Sequence, residues 1–261
     1  MQEERKVKLN EILKKSAERE SFYLVYQPII EVKTKKIYAV EALLRMRDHN
    51  ELGRINPDEF IPILEETGMI KQVGYWIIDE VCQQIKKWNK ENGVWIPVSI
   101  NIDIQQLLDE NFVESVKEII VKHDINPRYI KFEITESEAM KFPEIIIEVL
   151  KKLKGIGIEI SIDDFGTGYS SLSYLKIMPV SYIKIDKSFV QNIPHNKSDN
   201  ILVMTIVNLA KLFGFKTVAE GVEEKVQFLF LEEIGCDYVQ GYYFSRPVPP
   251  DRIKEMLTSQ A

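Results

Sequence analysis

The chain is 261 residues long, 45% hydrophobic, with a formal net charge of 34 − 40 = −6 at pH 7. That length suits one α/β barrel of about 250 residues better than two independent domains, and the apolar fraction supports a substantial core. The acidic balance excludes broad electrostatic binding to DNA or RNA, although a small phosphate ligand needs only local cations. Cys82 and Cys236 lack CxxC spacing and read as buried free thiols of a reducing compartment. The charged N-terminus MQEERKVKLNEILKK has no apolar core of a signal peptide, and no stretch approaches the roughly 20 apolar residues of a membrane span. A cytoplasmic protein without membrane contact is expected.

Residues 1–20 predict an amphipathic helix, with Val7, Leu9, Ile12, Leu13 and Ala17 on a loose stripe among charges. It reads either as a helix packed outside the main domain or as a linker helix from an upstream sensory domain. The missing turn signal before the first strand favours the linker, with the main domain over 21–261. Residues 22–30 and 36–45 predict two strands joined by 31–35, short enough for a hairpin, so this pair should be antiparallel. Asn56, Pro57 and Glu59 mark a helix start with Asn56 as N-cap. Helices then run to about residue 89, broken near Gly68, with Ile70, Val73, Trp76 and Ile77 on an apolar face.

From Trp95 the alternation is regular. Strands are predicted at 96–101, 129–134, 157–163, 181–185, 215–220 and 237–241. Helices are predicted at 104–121, 143–154, 169–177, 199–213, 223–234 and 250–258. Such a pattern predicts a modified (β/α)8 barrel with an antiparallel first strand pair.

The apolar strands end on polar residues: Glu41, Asn101, Glu133, the pair Asp163 and Asp164, Lys184, Glu220 and Gln240. In a closed parallel sheet these ends share one face, so groups from distant parts of the chain would converge on one pocket. Taken singly, each is an ordinary solvated group past a strand or a helix cap. Together Glu41, Asn101, Glu133, Asp163 and Asp164 form an all-oxygen donor set suited to Mg²⁺ or Mn²⁺ rather than Zn²⁺. The adjacent aspartates repel unless a cation neutralises them, and two ions about 3.5–4 Å apart would suit attack on a phosphate ester. His49, His123 and His195 stand at no strand end, which argues against a histidine-rich hydrolase site.

Lys184 interrupts an apolar strand and would need the acidic cluster if it points inward. Strand alternation places Lys184 and Asp186 on one face, which predicts a paired, inward arrangement. Glu220 is placed as a base or ligand, and Glu223 either supports it or is a first-turn acid of the next helix. The segment from Asp164 to Ser171 (DFGTGYSS) lacks the Gly-Lys-Ser/Thr ending of a P-loop. Two readings stand for it: a turn and helix start capped by Ser170 or Ser171, or a mobile loop that reports on metal or dimer state.

The sequence Glu41-Ala42-Leu43-Leu44-Arg45 resembles the signature of the EAL-domain family of cyclic di-GMP phosphodiesterases. The resemblance spans about residues 22–256. It includes Tyr26-Gln27-Pro28, Asn101, Glu133-Ile134-Thr135-Glu136, Asp163-Asp164-Phe165-Gly166-Thr167-Gly168, Lys184-Ile185-Asp186, Glu220-Gly221-Val222-Glu223 and Gln240-Gly241-Tyr242. It implies metal-dependent hydrolysis of cyclic di-GMP to linear pGpG in bacterial signalling, on a barrel with an antiparallel first strand. By resemblance Glu41, Asn101, Glu133 and Asp163 would hold one divalent ion, with Asp163 and Asp164 serving a second. Glu220 would act as general base, and Lys184 would hold the water and offset charge. Arg45 would bind a phosphate, with Gln27, Leu43, Asp186 and Gln240 lining the nucleotide site and Glu136 and Glu223 bracing it. Met46 stands where tryptophan is common, residues 47–55 are more polar than usual, and Ser181 replaces a common aspartate. These departures bear on substrate affinity and loop packing rather than on the ligands. The alternative is a catalytically inactive cyclic di-GMP receptor, although such domains usually lose ligands or the base that this sequence retains. A homodimer through the surface near residues 163–171 and an upstream sensory or GGDEF domain are further expectations from the family.

Overall fold

Eight strands, taken in chain order, close into a barrel in the computed structural model, which describes residues 2–15, 21–168 and 172–260. They are β1 (Phe22–Glu31), β2 (Ile37–Met46), β3 (Val98–Asn101), β4 (Ile130–Thr135), β5 (Glu159–Phe165), β6 (Tyr182–Ile185), β7 (Lys216–Ala219) and β8 (Tyr238–Val239). β1 runs antiparallel to both neighbours, and every other pair is parallel. The predicted hairpin is the cause. Lys35 takes a left-handed φ of 59°, and Glu31 N–H donates to the Lys36 carbonyl at 2.9 Å, reversing the chain within a few residues.

Side chains alternate across a strand, and here that period carries the interior face up to the rim. Ile29, Ala39, Ser99, Lys131, Ser161, Tyr182 and Val218 line one small interior cavity. Two residues further along each parallel strand stand Glu41, Asn101, Glu133, Asp163, Lys184 and Glu220. The opposite end of the barrel is filled by a different charge. Lys131 Nζ lies 3.1 Å from Glu159, donates to the Tyr38 hydroxyl at 3.0 Å and stands 3.8 Å from the Tyr182 ring centroid. Tyr238 stacks on Tyr38 at 4.2 Å. This packing closes the N-terminal end, so the strands' C-terminal ends form the open mouth.

The helices are α1 (Gln2–Lys15), α2 (Pro57–Glu66), α3 (Ile70–Asn92), α4 (Ile104–Leu107), α5 (Phe112–His123), α6 (Glu136–Ala139), α7 (Pro143–Ile156), α8 (Leu172–Leu175), α9 (Lys187–Val190), α10 (Lys197–Phe213), α11 (Lys225–Ile234) and α12 (Pro250–Thr258). The helix predicted over 104–121 is two helices. Asp109 breaks it: its side chain accepts from Asn111 N–H at 3.0 Å and its carbonyl from Phe112 N–H at 2.9 Å, a local turn that competes with helical bonding. The short helices α6 and α9 were not predicted, because four residues are too few to show a period. The helix predicted over 169–177 is described only as α8, and the caps assigned to Ser170 or Ser171 lie outside the described residues. So does Ala17 of the predicted first-helix stripe. Leu9 and Leu13 of that stripe are buried, whereas Val7 is 58% exposed.

Strand β5 runs two residues beyond its predicted end, to Phe165. Met46, the departure at the end of β2, is a core residue. Cys82 and Cys236 are free and buried, and burial pushes their thiol pKa values up to about 12 and about 11. Among the described residues, no helix is long and apolar enough to cross a membrane.

Candidate active site

Lys184 is the hub of the barrel mouth. Its ammonium lies 2.6 Å from Glu133, 2.7 Å from Glu220, 3.1 Å from Asp163 and 3.7 Å from Glu41, and its side chain is 1% exposed. These carboxylates come from β4, the end of β7, β5 and β2, so only barrel closure assembles them. Burial disfavours the ammonium, but Asp163, Glu133, Glu220 and Glu41 together outweigh it and hold its pKa well above the ordinary lysine value. Burial pushes Glu133 up to about 8 against the pull of Lys184, with Glu41 and Asp163 adding to the rise. Glu220 is raised by the same cause.

The expected pairing of Lys184 with Asp186 is not observed. Strand β6 ends at Ile185, so alternation no longer governs the next residue. Asp186 instead caps α9, its side chain accepting from Ser188 N–H at 3.0 Å, and it lies against Asp164.

Adjacent residues of a regular strand point to opposite faces, yet Asp163 and Asp164 both serve the mouth. The register of β5 on β6 shifts between Ile162 and Phe165, and Asp164 takes a left-handed φ of 53°. Asp164 N–H donates to Asp163 Oδ1 at 2.9 Å, which holds this bulge. Burial, then the charges of Asp163 and Asp186, raise the Asp164 carboxyl to about 6. Ligand oxygens of Asp163, Asp164 and Glu220 lie within 4.8 Å of one another, close enough to hold a cation together.

The remaining candidates fall into distinct positions. Both Glu41 oxygens are engaged, Oε1 by Asn101 Nδ2 at 2.8 Å and Oε2 by Gln240 Nε2 at 2.7 Å. Gln240 also donates to Gln27 Oε1 at 3.1 Å, and Gln27 donates to the Ser245 carbonyl at 3.1 Å. Gln27 and Gln240 thus form a relay that orients Glu41, an arrangement their reading as nucleotide-lining residues did not include. Leu43 lies between two cavities. One, of about 450 Å³, is bounded by Leu43, Arg45, Ile61, Asn101, Glu133 and Glu138. The other, of about 280 Å³, is bounded by Leu43, Lys187, Glu220, Glu223, Gln240 and Tyr242. Arg45 is half-buried at the rim of the first and donates to the Leu44 carbonyl.

Glu136 is buried beneath the 166–168 turn, accepting from Gly166 N–H at 2.7 Å. Glu223 is exposed on the edge of the smaller cavity, its N–H donating to Gln227 at 2.7 Å. Gln227 was not singled out from the sequence. It accepts from Glu223 and Glu224 N–H and donates to the Val190 and Gln191 carbonyls, tying the Glu220 loop to α9. Its spacing from Glu224 is a capping-box signature that would have marked it.

With this geometry in place, a family model described as "EAL domain" matches residues 10–247. The chain belongs to the EAL-domain family. The bifunctional diguanylate cyclase/cyclic di-GMP phosphodiesterase MucR of Pseudomonas aeruginosa is 38% identical over 241 residues, 92% of this chain and 35% of MucR. The signaling protein YkoW of Bacillus subtilis is 41% identical over 258 residues, 97% of this chain and 32% of YkoW. This EAL chain therefore spans about a third of the length of the curated relatives it matches. A solved structure of the PaMucR phosphodiesterase in complex with c-di-GMP superposes with a TM-score of 0.89 at 38% identity, covering 94% of this chain and 99% of that one. The shared EAL fold has the same closed barrel with antiparallel β1 and β2.

Proposed function

We propose that this EAL domain hydrolyses cyclic di-GMP to linear pGpG and needs two divalent cations, Mg²⁺ or Mn²⁺, to do so. The observation that carries the reading is the charge at the mouth. Four carboxyl groups stand within 4 Å of one ammonium, a formal excess of 4 − 1 = 3 negative charges once all are ionised, as a bound cation would make them, and Asp164 adds to it. An all-oxygen set with that surplus fits hard divalent cations. Glu41, Asn101, Glu133, Asp163, Asp164 and Glu220 are the residues that would hold them. Such cations, when bound, would acidify an attacking water and draw charge from a phosphate.

The chain's own groups do the rest. Glu220 reaches the mouth with a raised pKa and accepts the water's proton. Lys184 keeps its charge in a buried site, where it offsets the charge that grows on the phosphate oxygens. Arg45 takes a phosphate, and cavities on both sides of Leu43 suit the two halves of a dinucleotide. The relatives' names support the substrate: MucR and PA2567 of Pseudomonas aeruginosa are both described as cyclic di-GMP phosphodiesterases. On this reading the protein works in the bacterial cytoplasm, with α1 as a linker from an upstream sensory or GGDEF domain and a homodimer formed near residues 163–171.

Incubating the purified protein with cyclic di-GMP and Mg²⁺ or Mn²⁺ should yield pGpG by chromatography, and chelation should stop it. Binding without turnover under either cation would leave the receptor alternative instead.

A pH dependence follows from Asp164. A cation needs the carboxylates, and Asp164 is raised to about 6 and Glu133 to about 8, so Mn²⁺ affinity should climb as pH rises through the first value and go on climbing more gently toward the second. Calorimetric titration from about pH 5 to about pH 8 should show roughly a tenfold loss per unit or more below the first value. The sign for the cation-free fold is the reverse. A raised carboxyl favours the protonated folded state, so stability falls as pH rises from about 4 to about 6. An affinity flat across this range would remove Asp164 from the ligand set.

A further inference from the structure

We propose that Arg5 of α1 is a positioning residue for the substrate groove, clamping the segment that forms one groove wall, so that docking or lifting of α1 tunes substrate affinity. The guanidinium spans three partners. Nε donates to Glu59 Oε1 at 2.6 Å, Nη1 to the Leu52 carbonyl at 2.8 Å, and Nη2 to the Arg54 carbonyl at 2.9 Å and Glu59 Oε2 at 3.4 Å. Lys8 pairs with Glu51, and Lys6 with Glu66 at 2.8 Å. Leu9 and Leu13 anchor the helix from beneath, at 1% and 0% exposure. Five polar partners of α1 therefore fall within residues 51–66, the polar stretch after β2 and the helix that follows it.

That segment borders the site. Glu59 accepts from Asn56 N–H at 2.9 Å as well as from Arg5, so one carboxylate joins the loop, α2 and α1. Pro57, Ile61 and Glu65 of α2 form a wall of the 450 Å³ groove, facing Leu43, Arg45, Asn101 and Glu133. Arg54, whose carbonyl Arg5 holds, lies close enough for its charge to act on Arg45. The fork geometry is particular to arginine, since a lysine ammonium cannot meet two carbonyls and a carboxylate in one plane. A 14-residue helix is marginal alone, so α1 docks or lifts as a unit, and lifting removes every tether together. The family match begins at residue 10, so Arg5, Lys6 and Lys8 lie before it, whereas the partners they hold at 51–66 lie within it.

The inference rests on the groove being substrate-binding, so the test has one arm that does not use the substrate. Amide hydrogen exchange across 49–56 is compared in wild type, Arg5→Ala, Arg5→Lys and Leu13→Ala, together with kcat and KM for cyclic di-GMP. Arg5→Ala should speed exchange there by about tenfold or more, with exchange in β6 unchanged. It should raise KM by about threefold or more and leave kcat within about twofold. Arg5→Lys should recover only part of both effects. Leu13→Ala, which loosens α1 without touching Arg5, should reproduce them, and the double variant should be no worse than the worse single one.

Wild-type exchange and KM in Arg5→Ala would overturn the clamp. So would an Arg5→Lys variant equal to wild type, since a mere surface ion pair would then suffice. Faster exchange with unchanged KM would overturn the link to the groove. If the wild type neither binds nor cleaves cyclic di-GMP, the functional reading fails, while the exchange arm still decides the clamp.

Discussion

Replacing Lys184 with methionine is expected to cut turnover by about a hundredfold or more and to destabilise the cation-free protein. The side chain is fully buried and touches Glu41, Glu133, Asp163 and Glu220, so its loss leaves four carboxylates facing one another without a counter-charge. Breaking a buried ion pair costs about 3–5 kcal/mol, or roughly 10 °C in midpoint for a chain of this size. Protonation limits that cost. Glu133 already titrates near 8 beside the ammonium and would rise further without it. The deficit should therefore be largest at alkaline pH and shrink as pH falls and the carboxyls take up protons.

The same substitution makes a second, opposite demand. The ammonium and a divalent cation compete for the same oxygens, so the variant should gain more in melting temperature from added Mn²⁺ than wild type does. Thermal melts with and without Mn²⁺, over a pH series, read both effects. A variant whose melting responds to Mn²⁺ no more than wild type would show that the carboxylates around Lys184 are not the cation's ligands.

Glu220→Gln carries the second large effect. The change is isosteric and keeps a polar group against Lys184, but it removes one negative charge and the ability to take a proton. Turnover should drop by about 10² to 10⁴, the usual range for losing a general base. Cyclic di-GMP binding should persist, because the larger cavity and Arg45 are untouched and the isosteric change keeps the shape of the smaller cavity that Glu220 lines. Because Glu220 shares a cation-sized space with Asp163 and Asp164, the variant should also bind Mn²⁺ more weakly. Saturating Mn²⁺ then separates its two duties. Recovery of wild-type turnover at high Mn²⁺ would make Glu220 a ligand alone, and a persistent deficit identifies the base.

Much of this site was legible in the chain. The polar positions Glu41, Asn101, Glu133, Asp163, Lys184 and Glu220 could be found because a parallel barrel brings the C-terminal parts of its strands to one face, although β2 runs on past Glu41 to Met46 rather than ending there. The hairpin was legible because residues 31–35 are too few for a crossover. What escaped was whatever depended on irregular backbone or on non-neighbouring partners. The bulge that turns Asp163 and Asp164 to one side leaves no periodic trace, and alternation misled at Asp186 because the strand had already ended. Gln240 looked like a ligand contact, yet only the barrel's closure brings it against Glu41, 199 residues away.

By itself the sequence determined the barrel, its antiparallel opening, the all-oxygen chemistry of the mouth and, through ordered motifs, the family. The first three follow from local periodicity, residue type and spacing, and the family from the resemblance of its motifs. The tertiary structure alone decided that Lys184 is shared among four carboxylates, that Glu220 joins the aspartate pair, and that α1 grips the groove wall through Arg5. Each of these is a distance between segments far apart in the chain, and such distances exist only once the sheet has closed.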